Sequence, residues 1–245
     1  MEHAILEYSD LDSTLEINER KQHLKLVENQ LLLNRNYCGN AIELLKKIPT
    51  SSIPLVLTDI PYGVVNRESS GIRVFDKKDA DICNFSMKEL IDELYRVSSG
   101  SIYVFCSTEQ VSDLRAGFGA KDMTTRLCIW EKTNPSPVNC QHMWMSGIET
   151  CVYARKRGAR FNEHYKNSVW RFPNGRSKRH PTEKPLKLFE YLVNVSSNPG
   201  DLILDPFMGS GTTAEAALKN GRNFIGFDIS QEYTNLANGR IMHYL

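Results

Sequence analysis

The stretch that decides the fold is Leu202-Ile203-Leu204-Asp205-Pro206-Phe207-Met208-Gly209-Ser210-Gly211-Thr212-Thr213. In it, an apolar run typical of a strand leads into a turn with two glycines, and a helical pattern follows at once. Glycine lets a backbone approach a ligand closely, and the first turn of a helix directs its free N–H groups toward that ligand. The stretch therefore predicts a buried strand that ends in a binding turn.

The rest of the chain alternates short apolar runs with helical stretches of about ten residues. Strands are predicted at 53–58, 101–106, 123–132, 149–154, 201–204 and 223–228. Helices are predicted at 40–48, 87–97, 108–118, 186–196, 212–219 and 231–242. This alternation predicts an α/β fold, in which a mostly parallel sheet carries helices on both faces. A chain of 245 residues suits one such Rossmann-like domain.

Changes in composition along the chain set the domain boundaries. Residues 1–35 are polar with scattered leucines and predict an N-terminal helical arm, and residues 36–245 form the α/β domain. Stretches at about 64–85, 133–148 and 155–184 lack regular periodicity, so we interpret 64–85 and 133–184 as insertions in that domain.

The overall composition is that of an ordinary soluble protein. The formal net charge is +1 and 41% of the residues are hydrophobic. Apolar runs reach only about five residues, too few to span a membrane, and the N-terminus lacks the pattern of a signal peptide. We therefore expect a cytoplasmic protein.

Cysteine and histidine usage argues against disulfides and metal sites. No two cysteines have Cys-x-x-Cys spacing, and Cys106, Cys128 and Cys151 stand among apolar residues, as buried reduced thiols do. The six histidines are scattered, so we predict no bound metal.

A second strand ends in an unusual turn, Asp59-Ile60-Pro61-Tyr62. It offers an acceptor carboxylate, a backbone stiffened by proline and an aromatic face. In parallel sheets, ligands bind beyond the carboxyl ends of the strands, so both unusual strand ends are expected at one edge. Taken alone, a turn of this sequence is more often an ordinary turn of no chemical role.

The glycine turn lacks the machinery for phosphate. Ala214 stands where a dinucleotide fingerprint needs its third glycine, and no Gly-Lys-Ser/Thr follows. This absence disfavours a dehydrogenase and favours a nucleoside-like ligand with a positive charge that Asp205 can face. Asp228 closes the next strand, where we predict that it binds ribose hydroxyls; the alternative is a helix cap before Gln231.

The segment 155–184 is strongly basic, with only Glu163 and Glu183 as acidic residues. Such an excess can neutralise nucleic-acid phosphates, although a solvated surface loop is an equal alternative. Its basic residues are Arg155, Lys156, Arg157, Arg160, Lys166, Arg171, Arg176, Lys178, Arg179 and Lys184.

Together these segments resemble the DNA amino-methyltransferases. Asp59-Ile60-Pro61-Tyr62-Gly63 resembles their Asp-Pro-Pro-Tyr catalytic motif, and residues 205–213 resemble their cofactor loop. His180-Pro181-Thr182-Glu183-Lys184-Pro185 is similar to the motif before that loop, and Gly226-Phe227-Asp228-Ile229 to their second cofactor strand. The catalytic motif comes first, as in the permuted β class, and the likeness covers about 36–245.

The resemblance implies S-adenosyl-L-methionine as cofactor and adenine N6 in double-stranded DNA as target, with flipping of the base. It assigns Asp59, Ile60, Pro61 and Tyr62 to catalysis. It assigns a second set of residues to the cofactor, namely Asn40, His180, Thr182, Glu183, Lys184, Asp205, Pro206, Phe207, Gly209, Ser210, Gly211, Thr212 and Asp228. The basic residues from Arg155 to Arg179 would then bind DNA.

The implied chemistry concerns a poor nucleophile, because the lone pair of an exocyclic amino group is delocalised into the ring. Asp59 would accept one N–H of that group and the Ile60 carbonyl the other, while Tyr62 stacks on the base.

Two positions depart from the family pattern. Ile60 replaces a proline but keeps the carbonyl, and Asn40 replaces an aspartate near the adenine of the cofactor.

Several alternatives stay open at this point. An initial Asp in the catalytic motif favours adenine, yet cytosine N4 is a second target, and RNA or a protein amide is a third. A binding protein with a dead site is disfavoured by the intact Asp59, Pro61 and Tyr62. The short recognition stretch indicates a small DNA site or help from a second subunit in a homodimer, and a cognate restriction enzyme is a further candidate partner.

Overall fold

A computed structural model describes residues 31–62, 85–137, 141–175 and 183–245. Most of the predicted N-terminal arm and nearly all of the predicted 64–85 insertion lie outside these residues, so both stay predictions. The predicted insertion at 133–184 is described in part.

The described residues contain eight strands and six α-helices. The strands are β1 (Arg35–Cys38), β2 (Ile53–Asp59), β3 (Ser98–Cys106), β4 (Thr124–Lys132), β5 (Ile148–Arg155), β6 (Val169–Phe172), β7 (Leu202–Asp205) and β8 (Asn223–Asp228). The helices are α1 (Ala41–Leu45), α2 (Met87–Val97), α3 (Val111–Gly119), α4 (Leu186–Ser196), α5 (Thr212–Lys219) and α6 (Gln231–Ile241), and a short 3-10 helix follows at Met242–Tyr244.

The eight strands form one sheet in the order β1-β8-β7-β2-β3-β5-β4-β6. Only β5 runs antiparallel to its neighbours, β3 and β4. The other seven strands therefore end at the same side of the sheet, which we call the carboxyl edge, and begin at the opposite side, the amino edge. Strand β5 begins at the carboxyl edge and ends at the amino edge.

Helices cover both faces of the sheet, and each face has its own core. Helices α1, α2 and α3 pack on one face, and α4, α5 and α6 pack on the other. Strand β2 serves both cores, since Val56 points to the first, and Leu55 and Leu57 point to the second. This burial on both faces explains its continuous apolar run. The predicted fold class is confirmed.

Two strands were not predicted from the sequence, β1 and β6. Both lie at the outer edges of the sheet. Alternate residues of each face solvent, so neither has the continuous apolar run that marks the central strands. Pairing with β8 and β4, respectively, holds them in place.

The burial of three cysteines agrees with the sequence expectation. Cys106, Cys128 and Cys151 are buried free thiols. Within the described ranges, no cluster of His, Cys, Asp and Glu has the arrangement of a metal site. No helix in the described part of the chain combines the length and apolar character needed to cross a lipid bilayer.

The β2–β3 pair depends on a glycine, which gives a first prediction. A Cβ atom at Gly100 would overlap the backbone carbonyl oxygen of Pro54, whereas one at Gly119 would have no neighbour within 4 Å. We expect Gly100→Ala to lower the free energy of unfolding by about 1–3 kcal/mol and Gly119→Ala to leave it unchanged or raise it by up to about 1 kcal/mol. Urea unfolding of both variants measures this, and equal stabilities would contradict the close packing of these strands.

Candidate active site

The two unusual strand ends meet through the buried carboxylate of Asp205. Its Oδ1 accepts a hydrogen bond from the Thr58 hydroxyl at 2.6 Å and from the Phe207 N–H at 3.0 Å. Its Oδ2 accepts one from the Thr213 hydroxyl at 2.5 Å. Thr58 directly precedes Asp59, so these bonds fix the turn Asp59–Tyr62 beside the glycine turn, as the sequence predicted.

Burial raises the pKa of Asp205 to about 7, although the two threonine hydroxyls and the Phe207 N–H act in the opposite direction. The side chain is 3% exposed, and its carboxylate accepts hydrogen bonds from Thr58, Phe207 and Thr213. The structure therefore gives Asp205 a role in organising the cleft, whereas the sequence suggested that it faces a charged ligand.

Asp59 lies in a cluster of four polar side chains. Lys184 forms an ion pair with its Oδ2, and the Tyr62 hydroxyl donates to its Oδ1 at 3.0 Å. Lys184 also lies 3.1 Å from Glu149 Oε2, and the Tyr62 hydroxyl lies 3.3 Å from the same oxygen. One ammonium group thus bridges two carboxylates at the carboxyl edge.

Lys132 balances the charge of this cluster. Its Nζ lies 2.8 Å from Glu149 Oε1, so two carboxylates are matched by two ammonium groups. Burial alone would raise the pKa of Glu149, but Lys184 and Lys132 outweigh it and lower that pKa. Burial would likewise lower the pKa of Lys184, but Asp59 and Glu149 raise it. Both groups therefore stay charged at neutral pH.

Asp59 itself is shifted in the other direction. Burial raises its pKa, Lys184 only partly offsets this, and the charge of Glu149 adds to the rise. A carboxylate with a raised pKa is a better proton acceptor than a solvated one. The cluster therefore keeps Asp59 basic while Lys184 limits the cost of its burial.

Residues outside the Asp59–Tyr62 turn hold its backbone in place. The Ile60 N–H donates to the Phe105 carbonyl at 3.1 Å, and the Gln110 side chain donates to the Pro61 carbonyl at 2.9 Å. The Ile60 side chain is buried in the first core. These contacts orient the backbone at the position where the family pattern has a proline.

The glycine turn adopts the conformation that its sequence predicts. Gly209 and Gly211 have φ angles of 53° and 87°, which favour glycine. A Cβ atom at Gly211 would also lie 3.0 Å from Ala237, so the turn packs closely against α6. The Met208 N–H donates to the Phe227 carbonyl at 2.7 Å and fastens the turn to β8.

Asp228 supports the same turn. Its Oδ2 accepts from the Gly209 N–H and its Oδ1 from the Ser230 N–H, each at 2.8 Å. The residue before α6 is Ser230, whose hydroxyl caps that helix, so the helix-cap alternative for Asp228 is wrong. Asn40 lies close by and caps α1 with its side-chain oxygen, and the Gly39 N–H donates to the Asp228 carbonyl at 2.9 Å.

Glu183 brings an unpaired acceptor to the cleft. Arg240 lies 2.9 Å from its Oε1, while its Oε2 is buried with no hydrogen-bond partner. Such an orphaned oxygen is costly unless a ligand donor reaches it, and the cleft is therefore suited to a ligand with an ammonium group. The cleft is lined by Asp59, Glu183, Lys184, Phe189, Asp205, Phe207, Met208, Gly209, Ser210, Thr212 and Thr213.

Most of the predicted cofactor-binding residues therefore lie at this cleft. Lys184 differs from expectation, because its ammonium group pairs with Asp59 at one end of the cleft. Pro206 is buried behind the glycine turn. His180 and Thr182 lie outside the described residues and stay predictions.

The predicted DNA-binding residues are divided between the two edges. Since β5 runs antiparallel, Arg155, Lys156, Arg157 and Arg160 follow it at the amino edge. Strand β5 has eight residues, which places these side chains roughly 25 Å from the carboxyl edge. Lys156 donates to the Ser98 carbonyl at 2.6 Å. The structure does not bring these four residues together with Asp59.

The other basic residues are distributed differently. Arg171, on β6, lies 2.9 Å from Glu131 near the end of β4 and thus toward the carboxyl edge. Lys166 lies 3.5 Å from Glu163 in the segment before β6. Arg176, Lys178 and Arg179 lie outside the described residues.

The geometry is that of an α/β protein in which a cleft adjoins an acceptor carboxylate, and comparison with known proteins agrees with it. A family model described as DNA methylase, for N6 and N4 methyltransferases, matches residues 53–239. Since the match spans more than half of the chain, this protein belongs to that family of DNA amino-methyltransferases.

Individual relatives support the same assignment. The chain is 31% identical to the DNA adenine methyltransferase YhdJ of Escherichia coli (strain K12), covering 83% of this chain and 81% of that protein. It is 29% identical to the type II methyltransferase M2.LlaDCHI of Lactococcus lactis subsp. cremoris, covering 87% and 90%, respectively.

Solved structures share the fold. The crystal structure of the M1.HpyAVI–SAM complex matches with a TM-score of 0.64 and 26% identity, over 84% of this chain and 98% of that one. The cytosine-N4-specific PvuII DNA methyltransferase matches with a TM-score of 0.67, over 84% of this chain and 86% of that one. Its identity of 18% shows the likeness of fold alone.

Sequence reasoning missed three residues of the site, Glu149, Lys132 and Gln110. Glu149 stands at the start of an otherwise apolar strand, and Lys132 ends the strand beside it. A charged residue next to an apolar run was the available signal, yet only the pairing of β4 with β5 shows that they meet.

The Asp59 cluster generates a second prediction, through Glu149→Gln. Loss of the Glu149 charge removes a cause of the raised pKa of Asp59, and it leaves Lys184 to pair with Asp59 alone. Asp59 acts as an acceptor above its pKa, so the acid limb of the kcat–pH profile should move to lower pH. We expect kcat at neutral pH to fall on the order of tenfold, with an unchanged KM for the cofactor.

The matched control is Glu131→Gln, which removes an exposed carboxylate from the neighbouring strand. Its acid limb should coincide with that of the unmodified protein. If the Glu149→Gln profile also coincides with it, Glu149 has no electrostatic effect on Asp59.

Proposed function

We propose that this chain transfers a methyl group from S-adenosylmethionine to adenine N6 in duplex DNA. The observation that carries the proposal is the contact between the Asp59 cluster and the cleft, made through the Thr58–Asp205–Thr213 bonds. That arrangement places an acceptor carboxylate beside a ligand cleft, which transfer to an amino group requires.

The residues of the cleft fit S-adenosylmethionine, which is bound in the related M1.HpyAVI complex. Glu183 Oε2 would take the ammonium group of its methionine part, and Gly209 allows close approach of the turn. Asp228 and Asn40, at the ends of β8 and β1, would take the nucleoside part. The bound cofactor supplies an electrophilic methyl group on a sulfonium.

The catalytic end prepares the amino group. Asp59 accepts one N–H and the Ile60 carbonyl accepts the other, which localises the lone pair on nitrogen. The lone pair would form the new N–C bond as the S–CH3 bond of the sulfonium breaks and leaves the neutral thioether S-adenosylhomocysteine, and Asp59 would accept the proton that the nitrogen then releases. Tyr62 contributes its ring to the flipped base while its hydroxyl stays near Asp59 and Glu149. Positioning and hydrogen bonding provide the main rate enhancement.

Adenine is the proposed base on two grounds. The motif begins with Asp59, and an initial Asp favours adenine in this family, and YhdJ is described as a DNA adenine methyltransferase. Cytosine N4 is the second candidate, because the matching family model covers N4 as well as N6 methyltransferases.

The decisive experiment is methyl transfer from labelled S-adenosylmethionine to mixed-sequence duplex DNA, followed by mass analysis of the nucleosides. We expect the methylated nucleoside to be N6-methyl-2′-deoxyadenosine. Only N4-methylcytosine would overturn the choice of base, and label in RNA or protein but not in DNA would overturn the proposed substrate.

Asp59 gives the third prediction. Asp59→Ala removes the acceptor that contacts the base, so methyl transfer should fall by at least about a hundredfold. Cofactor affinity should stay within a few fold, because Asp59 pairs with Lys184 and Tyr62 and not with the glycine turn. Calorimetric titration with S-adenosylmethionine measures that affinity, and lost binding would show that Asp59 holds the cofactor.

The fourth prediction concerns the path of the DNA. We propose that the duplex lies over the carboxyl edge, so Arg171→Ala should reduce the slope of log affinity against log salt by about one. Arg157→Ala, at the amino edge, serves as the control and should leave the slope unchanged. An effect of Arg157 equal to that of Arg171 would place the DNA elsewhere.

Two partners complete the proposal. A second copy of the chain would extend the short recognition surface, and sedimentation of the protein with and without DNA tests this. The type II relatives suggest a restriction enzyme of the same specificity, and we expect the protein to act in the cytoplasm, where its DNA substrate lies.

A further inference from the structure

Three consecutive large apolar side chains are exposed in the connection between β4 and β5. Met143, Trp144 and Met145 are 67%, 96% and 49% exposed. Among the described residues, no other run of three large apolar side chains is exposed in this way. Surface apolar residues are common singly, but a contiguous group marks a binding surface.

The position of this group links it to the active site. The connection lies at the carboxyl edge, where β4 ends and β5 begins. Its end is fixed by a bond from the Lys132 N–H to the Gly147 carbonyl at 2.8 Å. Trp144 stands five residues before Glu149, so their Cα atoms are at most about 18 Å apart. Glu149 in turn lies 3.3 Å from the Tyr62 hydroxyl.

The chemistry of the connection suits the interior of a duplex. Residues 133–147 contain no Asp, Glu, Lys or Arg. These side chains therefore bring no acidic group that would repel phosphates and no Lys or Arg that would hold the connection on them, and Met143, Trp144 and Met145 offer flat and flexible apolar surface. Methionine and aromatic side chains of this kind enter base steps as wedges in DNA-binding proteins.

We propose that Trp144, flanked by Met143 and Met145, enters the base stack and fills the space left by the flipped target nucleotide. The proposal rests on the proposed function, because base flipping is what creates that space. The indole ring stacks on the neighbouring bases, and the two methionines cover its edges. The group thereby stabilises the duplex in the state from which Asp59 receives the base.

The test compares the unmodified protein with Trp144→Ala on two versions of one duplex. Its sequence is a site that the unmodified protein methylates in mixed DNA. In one version the target base is paired, and in the other it lies opposite an abasic site. Without a partner base the target leaves the stack at lower cost, so the wedge is less needed.

We expect Trp144→Ala to lower kcat/KM on the paired duplex by tenfold or more, and to be within threefold of the unmodified protein on the abasic duplex. Trp144→Phe should retain most activity on both. The matched control is Tyr165→Ala, which removes another fully exposed aromatic ring, located in the segment between β5 and β6.

Tryptophan fluorescence provides a direct readout of the contact. Of the three tryptophans, Trp130 and Trp170 are buried, so acrylamide quenches mainly Trp144. Binding of the paired duplex should protect this fluorescence from acrylamide, and the protection should be absent in Trp144→Ala.

Each contrary result has a distinct meaning. Failure of the unmodified protein to methylate mixed-sequence DNA, from which the test duplex is chosen, would refute the proposed function. An active unmodified protein with Trp144→Ala equally active on the paired duplex would refute the wedge alone. Equal loss on both duplexes, or a changed sedimentation coefficient without DNA, would assign Trp144 to folding or to a contact between copies and would also overturn it.

Discussion

The buried carboxylate of Asp205 is the constraint on which the site depends. Through Thr58 it holds the turn that carries Asp59, and through Thr213 it holds the first turn of α5 after the glycines. Neither strand end alone places an acceptor beside a ligand cleft. Burial raises the pKa of Asp205 to about 7, so the protein accepts an energetic cost at this position. Three hydrogen bonds to its oxygens offset part of that cost.

A second constraint is charge balance around Asp59. Two carboxylates and two ammonium groups are packed together at the carboxyl edge, where Lys184 contacts both Asp59 and Glu149. Removal of one member leaves a buried charge uncompensated. The residues of the Asp59–Tyr62 turn therefore depend on side chains from β4 and β5. The exposed group around Trp144 stands in the connection that leads into β5 and Glu149.

The sequence predicted the elements that carry long apolar runs or clear caps. Helices α4 and α5 and strand β8 have the predicted bounds, because Pro185, Gly211 and Asp228 mark their ends. The edge strands β1 and β6 were missed since half of each faces solvent. The direction of β5 is a tertiary property that local patterns do not contain. Because β5 runs in this direction, Arg155 and its neighbours lie at the amino edge and Glu149 lies beside Lys184.

The most direct test of the account is a crystal structure of this protein with S-adenosylhomocysteine, the product form of the proposed cofactor. The account predicts that the ligand lies in the cleft between Asp59 and Gly209, with its amino group on Glu183 and its nucleoside part toward Asp228. A ligand at the amino edge, for example in the polar cavity beside Arg160 and Asp201, would contradict it. So would a ligand in the cleft whose sulfur points away from Asp59.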